Sequence, residues 1–358
     1  MPNQSTASLP QAKAKERILW MDALAAAAAF CVVLLHANIM GLFMYPSGAL
    51  FHTFFVVISS WAAPVFFMLS GAKLMGYRER YSTKAYFAKR LKKTVFPWFC
   101  WSVIIFVFII VMAGDLSVLL HPAAMAMRFF SGLVGIRGNW LMSIYWFFVP
   151  LFGVYLCIPL VSLLKERRRL LWCMAGAFLV LGTIFTLLRS WLPFSYSNDL
   201  RLPISGYLAY AILGHLLVDA KISRATRIAF YWLGLFGIIL SYGLFILILI
   251  YSGDPSRAVT YVNPPVALIS IGVFILFRET DWERLFHSQQ SISVLQQAAA
   301  CGLGIYLIHF FLMQAVAFIA PGSYKLPWSI VTATFLFSAA ALLIGAARKV
   351  PLLRAIVP

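Results

Sequence analysis

Long apolar runs limit what this chain can fold into. Ten such segments follow one another, most of them about 20 residues long, which is the length of a helix that crosses a bilayer. None shows the alternation of apolar and polar residues that is typical of a transmembrane β-strand. We therefore predict membrane-spanning helices at 18–40, 53–76, 94–114, 140–164, 170–190, 204–220, 228–252, 261–277, 301–320 and 328–347.

The composition excludes a water-soluble globular protein. Of the 358 residues, 62% are hydrophobic and only 11% are charged, whereas a soluble domain carries about 25% charged residues. The sequence therefore predicts an all-α fold, a polytopic membrane helix bundle of about ten transmembrane helices. We expect one transmembrane domain over 18–347, preceded by a tail (1–17) and followed by a second tail (348–358).

The positive charges predict which loops face the cytoplasm. With the N-terminus placed inside, the inner segments hold 22 of the 29 Lys and Arg residues, the outer loops hold 6, and Lys73 lies at the inner end of the second segment. Because cytoplasmic loops are enriched in Lys and Arg, we expect both termini to be cytoplasmic. The net charge of +18 then indicates anionic membrane lipids as partners, and no nucleic acid. The longest outer loop, 115–139, suggests an interfacial or re-entrant helix.

Ionisable side chains inside apolar segments indicate function, because burying them in lipid is costly. His36 follows Asp22 by 14 residues, which is about 21 Å along a helix, so the two cannot touch and His36 lies toward the outer leaflet. His36 could act as a general base for a hydroxyl that arrives from the outer side. It could equally be a packing histidine that bonds a neighbouring carbonyl.

A second histidine shares a helix face with a tyrosine. Tyr306 precedes His309 by three residues in the ninth segment, and the pair could bind a ligand or polarise a thioester. It could also be a buried, hydrogen-bonded pair. A third histidine, His215, lies near the inner surface, where water can reach it.

Three further stretches carry chemistry or shape. Ser70-Gly71 in the second segment lets helix backbones approach closely and offers a hydroxyl. The fourth segment combines Trp146 and Tyr155 with two prolines, which predict a kinked helix of the kind found beside cavities. A basic cluster precedes the third segment, and within it Arg90 and Lys93 share a face. They could clamp the phosphates of an anionic cofactor or simply anchor the inner end of the helix.

Five stretches in order resemble the acyltransferase-3 family of integral membrane O-acyltransferases, and most closely its small members without a soluble domain. They are Asp22-x-Leu24 followed by His36, FFMLSG (66–71), the basic cluster through Arg90 and Lys93 to Pro97, WFF…Y…P (146–159) and GIYLIH (304–309). The resemblance covers nearly the whole chain.

The resemblance implies a multi-pass acetyltransferase of the bacterial inner membrane. Its acyl donor would be cytoplasmic acetyl-CoA, and its acceptor a hydroxyl of a cell-surface or lipid-linked glycan; no metal is expected. It implies His36 as the catalytic residue. The residues expected to bind acetyl-CoA are Arg90, Lys93, Lys89 and Lys73, and those expected to line the cavity are Asp22, Ala25, Ser70, Trp146, Tyr155, Tyr306 and His309.

The chain departs from the family pattern at Ala25. Family members usually carry an arginine directly after Asp-x-Leu, on the helix face of the catalytic histidine and about 16 Å below it. Its absence permits three interpretations: Lys73 substitutes for it, the enzyme is weakened, or the chain has lost catalysis. The family also often has a histidine just before Trp-Phe, where this chain has Ile144 and Tyr145, so no role carries over there.

A transporter of a small molecule or of a lipid-linked sugar is the alternative function, because many spans with buried histidines suit it equally well. The sequence feature against it is the lack of evident inverted repeats or paired broken helices.

Overall fold

The computed structural model of the chain describes residues 18–114, 120–134, 145–191, 206–252 and 261–357. Within these ranges the regular elements are helices, with no strand among them. This confirms the predicted all-α fold.

The helices follow the apolar segments in order along the chain. A π-helical turn (Leu91–Val95) joins the fourth helix to the fifth, and short 3₁₀ turns lie at several other junctions. The helices are α1 (Leu19–Met44), α2 (Ala49–Ser59), α3 (Ala62–Leu74), α4 (Thr83–Arg90), α5 (Phe96–Ala113), α6 (Pro122–Val134), α7 (Phe148–Val161), α8 (Arg168–Trp191), α9 (Tyr207–Val218), α10 (Arg224–Ser252), α11 (Pro264–Glu279), α12 (Trp282–Leu285), α13 (Gln289–Ile319) and α14 (Trp328–Ala347).

Several helical stretches are long and apolar enough to cross a membrane, so the chain is a multi-pass membrane protein. Within the described ranges six such stretches occur: Leu19–Met44, Pro46–Glu79, Thr83–Ala113, Arg224–Tyr251, Gln289–Ile319 and Trp328–Ala347. Phe148–Leu164 and Tyr207–Val218 are shorter apolar helices. The total of ten spans, the domain boundaries and the cytoplasmic position of both termini stay predictions, and the tail 1–17 lies outside the described residues.

Helix α1 is the centre of the bundle. It packs against α2, α3, α13 and α14, and its buried residues point in every direction around its axis. A helix surrounded in this way needs small side chains where its neighbours approach. The alanine run supplies them, since Ala26, Ala28 and Ala29 are buried between the neighbouring helices.

Helices α3 and α9 cross with their backbones almost in contact. A Cβ atom placed on Gly71 would lie 1.7 Å from the carbonyl oxygen of Ala211, and one on Gly214 would lie 1.9 Å from that of Met68. Only glycine fits at either position. This is the close approach that Ser70-Gly71 predicted, and it fixes the wall that carries Ser70.

A buried polar network holds the C-terminal half of α1. The Asn38 amide nitrogen donates to the Leu34 carbonyl at 2.9 Å, which turns the amide oxygen of Asn38 toward two donors. These donors are His52 Nδ1 at 2.9 Å and Ser329 Oγ at 3.3 Å. The network therefore ties α1 to α2 and α14. His52 carries little signal in the sequence because it lies just before a predicted span, yet its side chain is fully buried.

The chain continues as a helix from α4 into α5, past Pro97. Pro97 lies in the first turn of α5, a position that tolerates a missing backbone N–H. Just before it, the N–H of Phe96 bonds to the carbonyl of Leu91, five residues back. The wider π turn thus carries the helix past the proline.

A helix occurs in the segment predicted to be the longest outer loop, as the sequence suggested. Helix α6 (Pro122–Val134) lies within the segment 115–139, and residues 115–119 and 135–139 of that segment lie outside the described ranges.

Candidate active site

One cavity of about 180 Å³ lies beside α1, in the interior of the bundle. Helices α1, α3, α7 and α13 form most of its wall, and the π turn and the residues just before α7 and α11 complete it. The lining residues are Val32, Leu35, His36, Ala62, Ala63, Phe66, Ser70, Thr94, Trp146, Phe147, Leu151, Tyr155, Tyr261, Gly302, Leu303 and Tyr306.

Two histidines from different helices meet beside this cavity. The ring of His36 on α1 lies 5.0 Å from the ring of His309 on α13, measured between centroids, with an angle of 42° between the ring planes. His36 is half-buried and lines the cavity, whereas His309 is buried behind it with 2% of its surface exposed. The sequence singled out both residues without bringing them together.

The hydrogen bond of His309 fixes its tautomer. Its Nδ1 lies 2.6 Å from the backbone carbonyl oxygen of Tyr306. A carbonyl can only accept a hydrogen bond, so Nδ1 carries the proton, and in the neutral ring Nε2 is left with a free lone pair. Helical spacing of three residues brings these two groups together, as the sequence indicated. The ring of Tyr306 lies 5.4 Å from that of His309 and lines the cavity.

Aromatic side chains form another part of the cavity wall and contact α13, the helix that carries His309. Trp146 stacks on Tyr261 with centroids 4.6 Å apart and an angle of 16°. Tyr145 donates its hydroxyl to the carbonyl of Leu307 at 2.9 Å, which ties this wall to α13. Trp146 is among the cavity residues predicted from the sequence, whereas Tyr261 is not. The position of Tyr261 at the start of a predicted span, directly after a predicted outer loop, was the available signal.

Arg90 lies next to the cavity, beside Tyr155. Its guanidinium carbon lies 5.5 Å from the ring centroid of Tyr155, a lining residue. Its Nε is buried and has no hydrogen-bond partner among the described residues. A buried donor without a partner is costly, and an anionic group would satisfy it. Thr94, which is buried and lines the cavity, comes from the π turn that follows Arg90.

The lysines of the basic cluster point away from the cavity. Lys93 and Lys89 are exposed, and the ammonium of Lys89 lies 3.7 Å from the ring centroid of Tyr81. The prediction that Arg90 and Lys93 share a face assumed α-helical spacing. Because the π turn begins directly after Arg90, its wider winding rotates Lys93 relative to Arg90.

The remaining predicted residues lie outside the cavity wall. Asp22 is buried within α1, and Lys73 is half-buried at the end of α3, with its carbonyl accepting from Arg80. Ala25 is half-buried against the core. It lies on the same stripe of α1, that is, the same helix face, as Val32 and His36. One turn further along this stripe α13 lies close to α1, since a Cβ atom placed on Gly302 would lie 3.7 Å from Ala29.

The geometry thus brings histidine, serine, aromatic and arginine side chains together around one cavity. His36, Ser70, Trp146, Tyr155 and Tyr306 line it, His309 supports His36, and Arg90 contacts the wall. Their functional roles stay predictions. Within the described residues no group of three His, Cys, Asp or Glu side chains could hold a metal ion.

Comparison with known proteins identifies the family. The family model described as an acyltransferase domain, acyltransferase-3, matches residues 18–347. The chain matches no curated protein and no solved structure.

Proposed function

Because the chain belongs to the acyltransferase-3 family, we propose that it is a membrane O-acetyltransferase. Acetyl-CoA on the cytoplasmic side is the acyl donor, and the acceptor is a hydroxyl of a cell-surface or lipid-linked glycan. The membrane is the inner membrane of a bacterium. The family match supports acyl transfer, and the apolar helices support a membrane location.

One observation carries the proposal: His36, backed by His309, faces a cavity whose wall also contacts the half-buried Arg90. The ring of His36 lies 5.0 Å from that of His309, and the guanidinium of Arg90 lies 5.5 Å from the ring of Tyr155. A general base and an anion-binding group on one cavity suit the attack of a hydroxyl on a CoA thioester.

The chemistry assigns a proton path to His36. The acceptor oxygen attacks the thioester carbonyl carbon while the imidazole of His36 takes the hydroxyl proton. The new C–O ester bond forms, the C–S bond breaks, and the proton passes to the departing CoA sulfur. A covalent alternative passes the acetyl group first to His36 and then to the hydroxyl. Both routes use the same imidazole and the same overall balance of atoms.

The size of the cavity suits a small acyl group. Its volume of about 180 Å³ is below the roughly 300–1,000 Å³ of ordinary ligand pockets. An acetyl group and the end of the pantetheine arm fit such a space, whereas the nucleotide of CoA must stay outside it. Arg90 is suited to hold the nucleotide's phosphates at the cytoplasmic face, and the exposed lysines of α4 and the π turn add a weaker attraction that solvent screens.

Acetyl transfer by the purified protein in lipid nanodiscs tests the proposal. Labelled acetyl-CoA is supplied with a lipid-linked glycan, and the label in the glycan fraction is measured. We expect His36→Ala to lower the rate at least about a hundredfold. His287→Ala is the matched control, because His287 is exposed and lies outside the cavity wall.

Equal rates for His36→Ala and the wild type would overturn the role of His36. Vesicles that move a glycolipid across the membrane without any need for acetyl-CoA would favour the transporter instead. Mass spectrometry of surface glycans from cells with and without the gene then identifies the acceptor by the loss of one acetyl group.

A further inference from the structure

A proline inside α7 leaves one carbonyl without its helical partner. Pro159 lies inside the helix and has no N–H, so the carbonyl of Tyr155, four residues before it, cannot receive the usual hydrogen bond. The hydroxyl of Tyr86 donates to this carbonyl oxygen at 3.0 Å, and the contact is buried. A side chain from α4 thus replaces the missing backbone donor.

The same inner end of α7 is held at a second point. Arg78 donates from Nη2 to the carbonyl of Pro159 and from Nε to Ser162 Oγ, both at 3.0 Å. Carbonyls in the last turn of a helix have no partner within the helix. The cytoplasmic segment therefore supplies donors to two successive turns of α7.

Tyr86 is rigidly placed for this contact. Its side chain is fully buried, and its ring packs on that of Tyr77 with centroids 4.6 Å apart. The hydroxyl of Tyr77 pairs with Thr83 at 2.8 Å, so the support reaches back to the start of α4.

Tyr86 and Arg90 lie one turn apart on α4 and grip the same residue. Tyr86 holds the backbone of Tyr155, while the guanidinium of Arg90 lies 5.5 Å from its ring. Residues four apart share a helix face, so the two contacts form one unit. Through it the basic helix is tied to a residue of the cavity wall.

We propose that Tyr86 is a positioning residue for the acyl donor: its hydroxyl takes the place of the N–H that Pro159 lacks and so fixes Tyr155 and Arg90 at the donor end of the cavity. The inference rests on the proposed function. The inference adds to the proposed function a specific hydrogen bond, outside the cavity, that sets the affinity for the acyl donor.

Two single changes test the bond because each has a defined consequence. Tyr86→Phe removes only the hydroxyl. We expect the KM for acetyl-CoA to rise about threefold to tenfold, the effect of one buried hydrogen bond, with kcat nearly unchanged. Pro159→Ala restores a backbone N–H for the Tyr155 carbonyl. Adding Tyr86→Phe to Pro159→Ala should therefore leave the KM for acetyl-CoA at the value of Pro159→Ala alone.

A control of the same kind separates positioning from general loosening. Tyr324 also donates a buried hydroxyl to a backbone carbonyl, that of Met313, at 2.8 Å, and neither residue lines the cavity. We expect Tyr324→Phe to leave the KM for acetyl-CoA unchanged. A purely structural role for Tyr86 would lower the amount of active protein, and hence kcat, without changing this KM.

Thermal unfolding of the wild type, the two single variants and the double variant in detergent gives a second measurement that needs no activity. Tyr86→Phe should lower the unfolding midpoint in the wild-type background and have less effect with Pro159→Ala. Equal effects in both backgrounds would overturn the hydrogen-bond assignment, and an unchanged KM for acetyl-CoA in Tyr86→Phe would overturn the positioning role. A wild-type protein that neither binds acetyl-CoA nor transfers acetyl groups would contradict the proposed function itself, which is recognisable before any variant is made.

Discussion

The imidazole rings of His36 and His309 lie 5.0 Å apart between centroids, although one belongs to the first helix and the other to the penultimate one. The cavity reaches only His36, while His309 is buried behind it. His309 keeps Nδ1 bonded to a carbonyl. This arrangement places a fixed imidazole against His36, the proposed general base.

We expect His309→Ala to lower kcat about tenfold to a hundredfold, because His36 loses the ring that orients it. Initial rates of acetyl transfer at saturating acetyl-CoA measure the effect, with His287→Ala as the exposed control. Groups that act as a unit are not additive. The double variant His36→Ala/His309→Ala should therefore be no slower than His36→Ala alone, and a further large drop would show that the two histidines act independently.

Arg90 and Lys93 should differ in their effect on the donor. Arg90 is half-buried beside Tyr155, whereas Lys93 is exposed, and exposed charges contribute little because solvent screens them. We expect Arg90→Ala to raise the KM for acetyl-CoA about tenfold and Lys93→Ala to raise it less than about twofold. Equal effects of the two variants would contradict the rotation that the π turn imposes.

A cation at position 25 should increase activity. Ala25 is half-buried on the stripe of α1 that leads to His36, where the family pattern has an arginine. A desolvated contact of this cation with an anionic group is strong, so we expect Ala25→Arg to raise the rate of acetyl transfer by at least about tenfold. Ala27→Arg is the matched control, since Ala27 is equally half-buried but points elsewhere on the helix.

An unchanged rate in Ala25→Arg would indicate that another cation already serves or that the chain is silent. Lys73→Ala in the wild-type background, with Ala25 unchanged, distinguishes these two outcomes. If Lys73 substitutes for the arginine, Lys73→Ala transfers acetyl groups more slowly than the wild type. A catalytically silent chain shows no acetyl transfer with or without Lys73.

The sequence predicts features that depend on local spacing. The stripe from Ala25 to His36 and the pairing of Tyr306 with His309 both follow from helical geometry within one segment, and the structure has them. The contact between His36 and His309 joins helices far apart in the chain, so no local pattern contains it. Thr94 was missed for another reason, because a π turn displaces residues from the faces that α-helical spacing assigns.

Hydropathy also did not predict the residues at which two of the helices begin. Helix α13 begins at Gln289, well before the apolar segment predicted at 301, because Ser and Gln residues continue the helix outside its apolar part. In the same way Thr83–Ala113 extends before position 94 through the basic cluster. Apolar patterning marks the part of a helix suited to lipid, and the polar turns beyond it carry the residues proposed to meet the acyl donor.

The network around Asn38 should stabilise the bundle. His52→Ala removes a buried donor from the Asn38 amide oxygen and leaves a cavity between α1 and α2. We expect the free energy of unfolding to fall by about 2–3 kcal/mol. Equilibrium unfolding in detergent measures it, and His121→Ala, an exposed histidine, should change it by less than about 0.5 kcal/mol. Equal losses in the two variants would contradict a structural role for the network.

The crossing of α3 and α9 should not tolerate a methyl group. In Gly71→Ala the new Cβ would lie 1.7 Å from a backbone oxygen of α9, and a backbone cannot yield as a flexible side chain does. We expect a loss of about 3 kcal/mol or more in the free energy of unfolding, together with a fall in activity, because Ser70 on the cavity wall moves with the helix. Gly243→Ala is the control, since a Cβ atom placed on Gly243 would meet no described atom within 4 Å. Alanine favours a helix over glycine, so this variant should keep or slightly raise the stability. Equal stabilities of Gly71→Ala and Gly243→Ala would contradict the close approach of the α3 and α9 backbones.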